Sequence, residues 1–479
     1  MAAERRIGGG SMMTLQQVLS WLPGAVGVGA MDVVITRVHT DTRSLQPGDL
    51  FVALQGERYD ANQFLAQAKA AGAAAALCHA GSGLDDTGLP GIEVSDTRQA
   101  LGQLATQWRA QFDLSLIAVT GSNGKTTVTQ MLASILRAWK PQAMLATTGN
   151  LNNDVGVPLT LLRLRAQHKI AAVELGMNHP GEIARLAAMA RPTVALVNNA
   201  QREHLEFMHS VQAVARENGA VFASLAAQGI AVYPHDDPYA GLWKQLAGSH
   251  AQHDFASTAT DAARVSCAAA GWSGICWQVT ARTPGGPLPF KLHAPGMHNV
   301  HNALAALTAA LAAGVPMAAI RVGLETFEPV KGRSRVLSIV MGDNMHTLID
   351  DSYNANPDSV AAALELLASL PAPRLMVLGD MGEIGSQGEV LHAQAGSLAN
   401  QLGIERLFTH GELSAAASRH NLHSRHFEDM PALIAAVLDE LPSVASVLVK
   451  GSRFMRMERV VEAVTGQAQQ QPIGEGHAV

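Results

Sequence analysis

The sequence predicts an α/β protein of three domains: a small N-terminal α/β domain, a central doubly wound and mostly parallel sheet built on a phosphate loop, and a C-terminal Rossmann-like α/β domain. Three observations predict this. The chain has 479 residues, which on ordinary domain sizes makes about three domains. Short apolar runs alternate with helical periodicity along most of its length, as parallel strands joined by right-handed crossovers require. Finally, residues 117–127 read Ile-Ala-Val-Thr-Gly-Ser-Asn-Gly-Lys-Thr-Thr, a strand running through a glycine turn into a helix.

Taken in order, residues 1–12 carry charges and glycines but no apolar run, and are expected to be a disordered leader, with Met12 or Met13 as an alternative start. Residues 13–113 form the first domain. Strands are expected at 33–38 and 50–54 around the turn Gln46-Pro47-Gly48-Asp49, then an alanine-rich helix over 61–73 and a strand over 74–78. Residues 114–328 form the central domain, with strands at 116–119, 170–174, 194–198 and 230–233. The stretch 263–292 breaks the alternation and reads as an antiparallel edge or insertion. Residues 329–465 make a second doubly wound sheet, with strands at 347–349, 374–378, 406–409 and 446–449 and a helix over 359–370. A glutamine-rich tail follows from 466 to 479.

Composition narrows the function. Hydrophobic residues make up 48% of the chain and the net charge is −6. No basic block accumulates, which argues against a nucleic-acid partner. The longest apolar stretch, 303–320, is mostly alanine and broken by Thr308, Gly314 and Pro316, so it predicts a helix ending at Ala313 rather than a membrane span. The three cysteines, Cys78, Cys267 and Cys276, show no paired spacing and fit a reducing cytoplasm. No exposed apolar heptad points to a second copy, and a cytoplasmic protein is expected.

The chemistry begins at Gly121-Ser122-Asn123-Gly124-Lys125-Thr126-Thr127. Glycines let backbone amides curl around a phosphate, the helix N-terminus adds positive potential, and Lys125 brings a cation to the terminal phosphates. Thr126 offers a hydroxyl to Mg²⁺. The loop is shorter than the usual phosphate loop, with only Ser122 and Asn123 between its glycines. Glu174 ends a predicted strand, on the edge where parallel sheets bind ligands; it serves either Mg²⁺ or the cap of a following helix. His204 falls at the same edge, where a metal role and a structural one weigh equally on chemistry alone, while Glu203 and Glu206 read as readily as solvated loop charges. Asn299 and Asn302 share one helix face; they suit either an adenine edge or helix capping.

Several segments together resemble the Mur ligase family of cell-wall enzymes, over nearly the whole chain from 33 to 460. They are the shortened Gly-Ser-Asn-Gly-Lys-Thr loop, Gly48-Asp49-Leu50-Phe51-Val52-Ala53-Leu54 with Gly56-Glu57-Arg58-Tyr59-Asp60, Gly149-Asn150-Leu151-Asn152-Asn153, Glu174-Leu175-Gly176-Met177-Asn178-His179-Pro180-Gly181-Glu182-Ile183, Asp350-Asp351-Ser352-Tyr353-Asn354-Ala355-Asn356-Pro357, and Leu378-Gly379-Asp380-Met381-Gly382-Glu383. The Asp-Asn-Pro-Arg motif of the diaminopimelate-adding relative is absent, and the resemblance is greatest to members that add a dipeptide.

The resemblance implies an ATP- and Mg²⁺-dependent ligase joining D-alanyl-D-alanine to UDP-N-acetylmuramoyl-tripeptide through an acyl phosphate. It implies catalytic roles for Lys125, Glu174, His204 and Arg333, and metal ligation by Thr126, Glu174 and His204. The loop 121–127 with Asn299, Arg333 and Asp351 would bind ATP. Thr42, Arg43 and Ser44 after Asp41, with Thr147, Thr148, Asn150 and Asn153, would bind the UDP precursor. Tyr353, Asn354, Asn356 and Lys450 would face the incoming dipeptide, with the linker at 330–332 as a hinge. One departure stands out. Family members commonly carry a carbamylated lysine where this chain has Asn218, which leaves Glu217 substituting or a second Mg²⁺ held weakly. Other ligases of the superfamily, amino-acid-adding or folylpolyglutamate synthase-like, are the alternative reading; a non-catalytic ATP switch is a further one.

Overall fold

The structure is a computed structural model that describes residues 11–56, 59–341, 344–467 and 469–471. Most of the expected leader, the Glu57-Arg58 pair and the end of the expected tail from 472 lie outside these residues. Met12 is already inside the fold: it is buried and its N–H donates to the Ile35 carbonyl.

The N-terminal domain holds a five-stranded sheet in the order Val26–Val28, Gly91–Val94, Ala75–His79, Asp49–Val52, Arg37–His39. All neighbours run parallel except the first pair. The run expected as one strand over 33–38 divides at Thr36. Val34–Ile35 pairs with Met13–Thr14 in a separate antiparallel ribbon, and Arg37–His39 enters the main sheet. Between them the Thr36 N–H turns to the Gly48 carbonyl and the Thr36 carbonyl accepts from Arg165, so the pairing cannot run on. The expected helix over 61–73 is shorter, a 3₁₀ turn at Ala61–Phe64 followed by Leu65–Ala70.

The central sheet has nine strands, in the order Gly286–Leu292, Trp277–Thr283, Val265–Trp272, Ala251–Ala256, Ile230–Pro234, Val194–Val197, Ser115–Thr120, Ile170–Glu174, Met144–Ala146. Seven are parallel, and the last two hairpin connections are antiparallel, which accounts for the broken alternation over 263–292. Strands Ala251–Ala256 and Met144–Ala146 were not read from the sequence; the first mixes polar and apolar residues, and the second is three residues long.

Ser115–Thr120 sits between Val194–Val197 and Ile170–Glu174. Three loops therefore leave the sheet side by side at one edge: the glycine loop, the segment after Glu174, and the segment after Val197. Helix Lys125–Trp139 packs on one face of the sheet with Met297–Ala312 and Met317–Glu325. Gly323 permits that approach, because a Cβ there would strike the Ile135 backbone. The opposite face shares a continuous core with the N-terminal domain, through Leu101, Leu104 and Trp108 of helix Thr97–Arg109 against Leu161 and Leu186.

The C-terminal sheet has seven strands, in the order Ser424–Phe427, Arg406–His410, Arg374–Gly379, Ser446–Lys450, Asn344–Asp351, Arg335–Met341, Gln469–Gln471. The first five are parallel and the last two antiparallel. Gln469–Gln471, within the expected tail, is thus an edge strand. Helix Pro357–Ala368 begins at a capping box in which the Asn356 side chain accepts from the Ser359 N–H.

Candidate active site

The glycine loop forms because its neighbours leave no room for anything else. Gly124 has φ +80°, and a Cβ on it would run into Asn302 Oδ1 and lie 2.7 Å from Asn198 Nδ2. Those two amides hydrogen-bond each other at 2.9 Å, and Asn198 also donates to the Asn123 carbonyl at 2.8 Å. The loop lies on a polar floor built from three separate segments. Lys125 Nζ donates to the carbonyls of Gly121 (2.5 Å) and Ser122 (3.0 Å) and stands 3.2 Å from Glu203 Oε2.

Glu174 is 1% exposed. Its Oε1 accepts from Thr126 Oγ1 at 3.0 Å and Asn152 Nδ2 at 2.7 Å, whereas its Oε2 has no partner. It caps no helix, so of the two sequence readings the ligand-facing one fits this geometry. His204 takes a left-handed φ of +48°. Its Nδ1 lies 2.6 Å from Glu383 Oε2 of the C-terminal domain, and its Nε2 lies 3.9 Å from Glu203 Oε2. Hydrogen bonding to His204 holds the Glu383 carboxyl below the usual range, against its desolvation. Glu203, read equally as a solvated charge, is 5% exposed and has an unpartnered Oε1.

The region of the expected lysine carbamate is built differently. Asn218 is wholly buried, and its Oδ1 accepts from Thr120 Oγ1 (2.7 Å) and the Gly121 N–H (3.0 Å). Glu217 accepts from the N–H groups of Gly181 and Ile183, both at 2.9 Å, at the start of helix Glu182–Ala190, a position helix amides favour for a carboxylate. That engagement leaves Glu217 committed to the helix rather than substituting for the lysine.

The C-terminal domain closes the other side of the cleft. Asn356 and Asn123 exchange side-chain amide bonds at 2.9 and 3.2 Å, and Arg202 meets Asp358 in a fork with contacts from 2.7 Å. Arg333 lies over the Tyr353 ring, 4.2 Å from its centre, with Arg453 at 5.6 Å. Asp351 accepts from Ser334 N–H at 2.9 Å and pairs with the buried Lys450 ammonium at 2.6 Å. Lys450 is thus occupied with Asp351 and the Asn354 carbonyl.

At the far end, Asn299 Nδ2 donates to the Pro295 carbonyl at 2.7 Å, and Asn302 Nδ2 donates to Asn299 Oδ1 at 3.1 Å. The cap of their helix is Gly296, so capping does not explain either residue. His301 bridges Ser257 Oγ and the Asn198 carbonyl. Burial pushes the neighbouring His298 imidazole down to about 4.

A single cleft of about 1290 Å³ gathers most of the expected residues. Ser122 to Thr127, Asn150, Asn153, Glu174, His204, Asn299, Arg333, Asp351, Tyr353, Asn354, Asn356 and Lys450 all line it. Others lie elsewhere. Gly121 is buried under the loop. Thr147 stands behind Glu174, its Oγ1 accepting the Glu174 N–H, and Thr148 Oγ1 accepts from Arg163. Thr42 to Ser44 form a turn of the N-terminal domain, with Arg43 paired to Asp41 and Ser44 to His39. Asn152, Asn198, Glu203 and Glu383 were missed. Asn152 and Glu383 lie in quoted motifs, but Asn198 and Glu203 become meaningful only through non-local partners.

Among the described residues no three His, Cys, Asp or Glu side chains gather to hold a metal by themselves, and no helix is long and apolar enough to cross a membrane. A phosphate loop, a buried carboxylate at the next strand end and a second α/β domain docked across them define an ATP-using ligase. Family models agree in all three parts: Mur ligase family, catalytic domain, at 34–109; Mur ligase middle domain at 119–310; and Mur ligase, glutamate ligase domain, at 332–453. The chain belongs to the Mur ligase family.

It is 41% identical to the UDP-N-acetylmuramoyl-tripeptide–D-alanyl-D-alanine ligase of Escherichia coli K12, an alignment covering 94% of this chain and 98% of the relative. The enzyme of the same name from Haemophilus influenzae is 36% identical, over 94% and 97%. Among solved structures, MurF from Acinetobacter baumannii superposes with a TM-score of 0.86 at 34% identity, covering 95% of this chain and 98% of that one. MurF ligase from Thermotoga maritima in complex with ADP gives 0.78 at 25% identity, over 89% and 96%.

Proposed function

We infer that this protein is the ATP-dependent ligase that joins D-alanyl-D-alanine to UDP-N-acetylmuramoyl-tripeptide, forming the pentapeptide precursor of peptidoglycan. The observation that carries the reading is the docking of the acceptor domain on the phosphate loop, with Asn356 against Asn123, in a chain aligned end to end with ligases of that activity.

The residues suit the chemistry in order. The loop amides and Lys125 hold the ATP phosphates, and Asn299 lies at the base end of the cleft. A carboxylate oxygen of the tripeptide attacks the γ-phosphorus, the bond to the β-phosphate oxygen breaks, and ADP leaves. The residues present fit Mg²⁺: Thr126, Glu174 with its unpartnered buried oxygen, and His204 would hold it, with phosphate oxygens and water completing the shell. When bound, the ion neutralises charge on the transferring phosphoryl group.

The neutral amine of the dipeptide then attacks the acyl carbon, the carbon–oxygen bond breaks and phosphate departs. Arg333, held against Tyr353 with no carboxylate partner among the described residues, is free to meet phosphate oxygens. The domain contacts exclude water that would hydrolyse the acyl phosphate. Asn150 and Asn153 face the muramoyl part from the central domain, and Thr42 to Ser44 serve the UDP end. The protein works as a cytoplasmic monomer.

The test is mass spectrometry of a reaction containing ATP, Mg²⁺, UDP-N-acetylmuramoyl-tripeptide and D-alanyl-D-alanine. The expected product is the UDP-linked pentapeptide with stoichiometric ADP. Ligation of a single amino acid in preference to the dipeptide would overturn the assignment.

A further inference from the structure

We propose that Arg98, Asp154 and Arg185 are the residues that select the third residue of the stem peptide, and that they take a side chain ending in both an ammonium and a carboxylate group. The proposal rests on the ligase reading, in which the tripeptide occupies the cleft.

Two cavities meet at these three side chains. They line the catalytic cleft and also a second cavity of about 660 Å³, to which the mechanism assigns no role. Trp21 of the N-terminal domain, Thr106 of helix Thr97–Arg109 and Met189 of helix Glu182–Ala190 wall that second cavity. The charges come from three separate segments: Arg98 from the first turn of one helix, Arg185 from the other, and Asp154 from the loop that follows Asn153.

The position suits the residue next to the chemistry. The carboxylate that attacks the γ-phosphorus ends the tripeptide, so the backbone of the third residue lies beside Lys125 and Glu174. Asn152 donates to Glu174 Oε1 at 2.7 Å. Asp154 is two residues further on, its Cα at most about 7 Å from that of Asn152. A long side chain spans that interval.

The charges hold one another weakly. Arg98 Nη1 meets Asp154 Oδ2 at 3.1 Å, while Arg185 Nη2 reaches the same oxygen and Glu182 Oε1 only at 4.0 Å. Glu182 is already engaged, its Oε2 accepting from the N–H groups of Asn178 and His179. Both guanidiniums are half exposed, at 48% and 52%, where such pairs add little stability. What they present to the cleft is two donor forks beside one carboxylate. The forks match a carboxylate in geometry and charge, and Asp154 gives a neighbouring ammonium its counter-charge. A side chain ending in an ammonium alone would leave the forks without an anion and bring a further cation beside them. The same pocket therefore disfavours lysine.

The test is calorimetric titration of the full-length protein, saturated with Mg²⁺ and a β,γ-imido ATP analogue, with two precursors. One is UDP-N-acetylmuramoyl-tripeptide ending in meso-diaminopimelate, the other its counterpart ending in L-lysine. Wild type is expected to bind the diaminopimelate form at least about tenfold more tightly, as a charge-assisted hydrogen bond supplies. Arg98→Ala and Arg185→Ala should each shrink that preference at least about threefold, and the double variant should abolish it. Equal binding of the two precursors by wild type would overturn the proposal. So would a preference retained in the double variant, including an equal loss of affinity for both precursors, which is what a merely structural role gives. Should the double variant fail to fold, the two single variants decide on the same ratio. Binding needs no turnover, so a protein that shows the preference and makes no pentapeptide would sink the ligase assignment alone.

Discussion

Replacing Gly124 by alanine tests whether the short phosphate loop is held by its floor of amides. Gly124 has φ +80°, and placing an L-residue there costs about 1–2 kcal/mol. The new methyl also meets Asn302 Oδ1 and lies 2.7 Å from Asn198 Nδ2. One of them must move, breaking the 2.9 Å bond between two buried amides and leaving buried polar atoms unsatisfied, a further penalty of about 1–3 kcal/mol. The expected loss is therefore about 2–5 kcal/mol, concentrated where nucleotide binds. Gly81→Ala is the control: its φ is +76° and nothing lies within 4 Å of the added carbon, so only the backbone penalty applies. Thermal unfolding and calorimetric ADP binding of both variants separate the two contributions. Gly124→Ala should unfold earlier than Gly81→Ala and bind ADP at least about tenfold more weakly, a change of about 1.4 kcal/mol. If the two variants unfold alike and Gly124→Ala binds ADP normally, the loop does not depend on its amide floor.

Three further outcomes are expected. A double-mutant cycle of Arg202→Ala and Asp358→Ala should give a coupling of about 0.5–1 kcal/mol in the free energy of activation, because the pair is part-exposed and spans the two domains; additivity in kcat/KM would show that this contact plays no part in closure. Added bicarbonate should leave the rate unchanged, since Asn218 has no amine to carbamylate and is already engaged with the loop; stimulation in a carbon-dioxide-depleted assay would contradict this. The His298 imidazole is held down near 4 by burial, against an ordinary 6.5. The unfolded chain therefore takes up more protons than the folded one between those values. The stability due to the neutral ring is complete above pH 6.5 and declines as pH falls toward 4, so His298→Gln should flatten the melting-temperature profile in that window.

What could be read from the sequence divides according to where a residue's partners lie. The strand ends at Thr120, Glu174 and Val197 were legible because period and topology suffice to bring them to one edge, and Lys125, Glu174 and His204 came with them. Thr36 hid its break because the cause is the Gly48 carbonyl and an arginine of the next domain. Glu203 is the sharper case. In Arg-Glu-His-Leu-Glu it has the composition of a solvated turn, yet it is buried by the lysine of one loop and a histidine pinned by Glu383 of another domain. Nothing local distinguishes it from Glu206 three positions on. Likewise Asn356 reads fully as a helix cap, which it is, while its second amide contact, to Asn123, ties the C-terminal domain to the phosphate loop. A residue whose local role is complete gives no sign of a second one. In a protein assembled from separate domains, the residues that join one domain to another are of this kind, so they are found from their partners in space and not from their sequence neighbours.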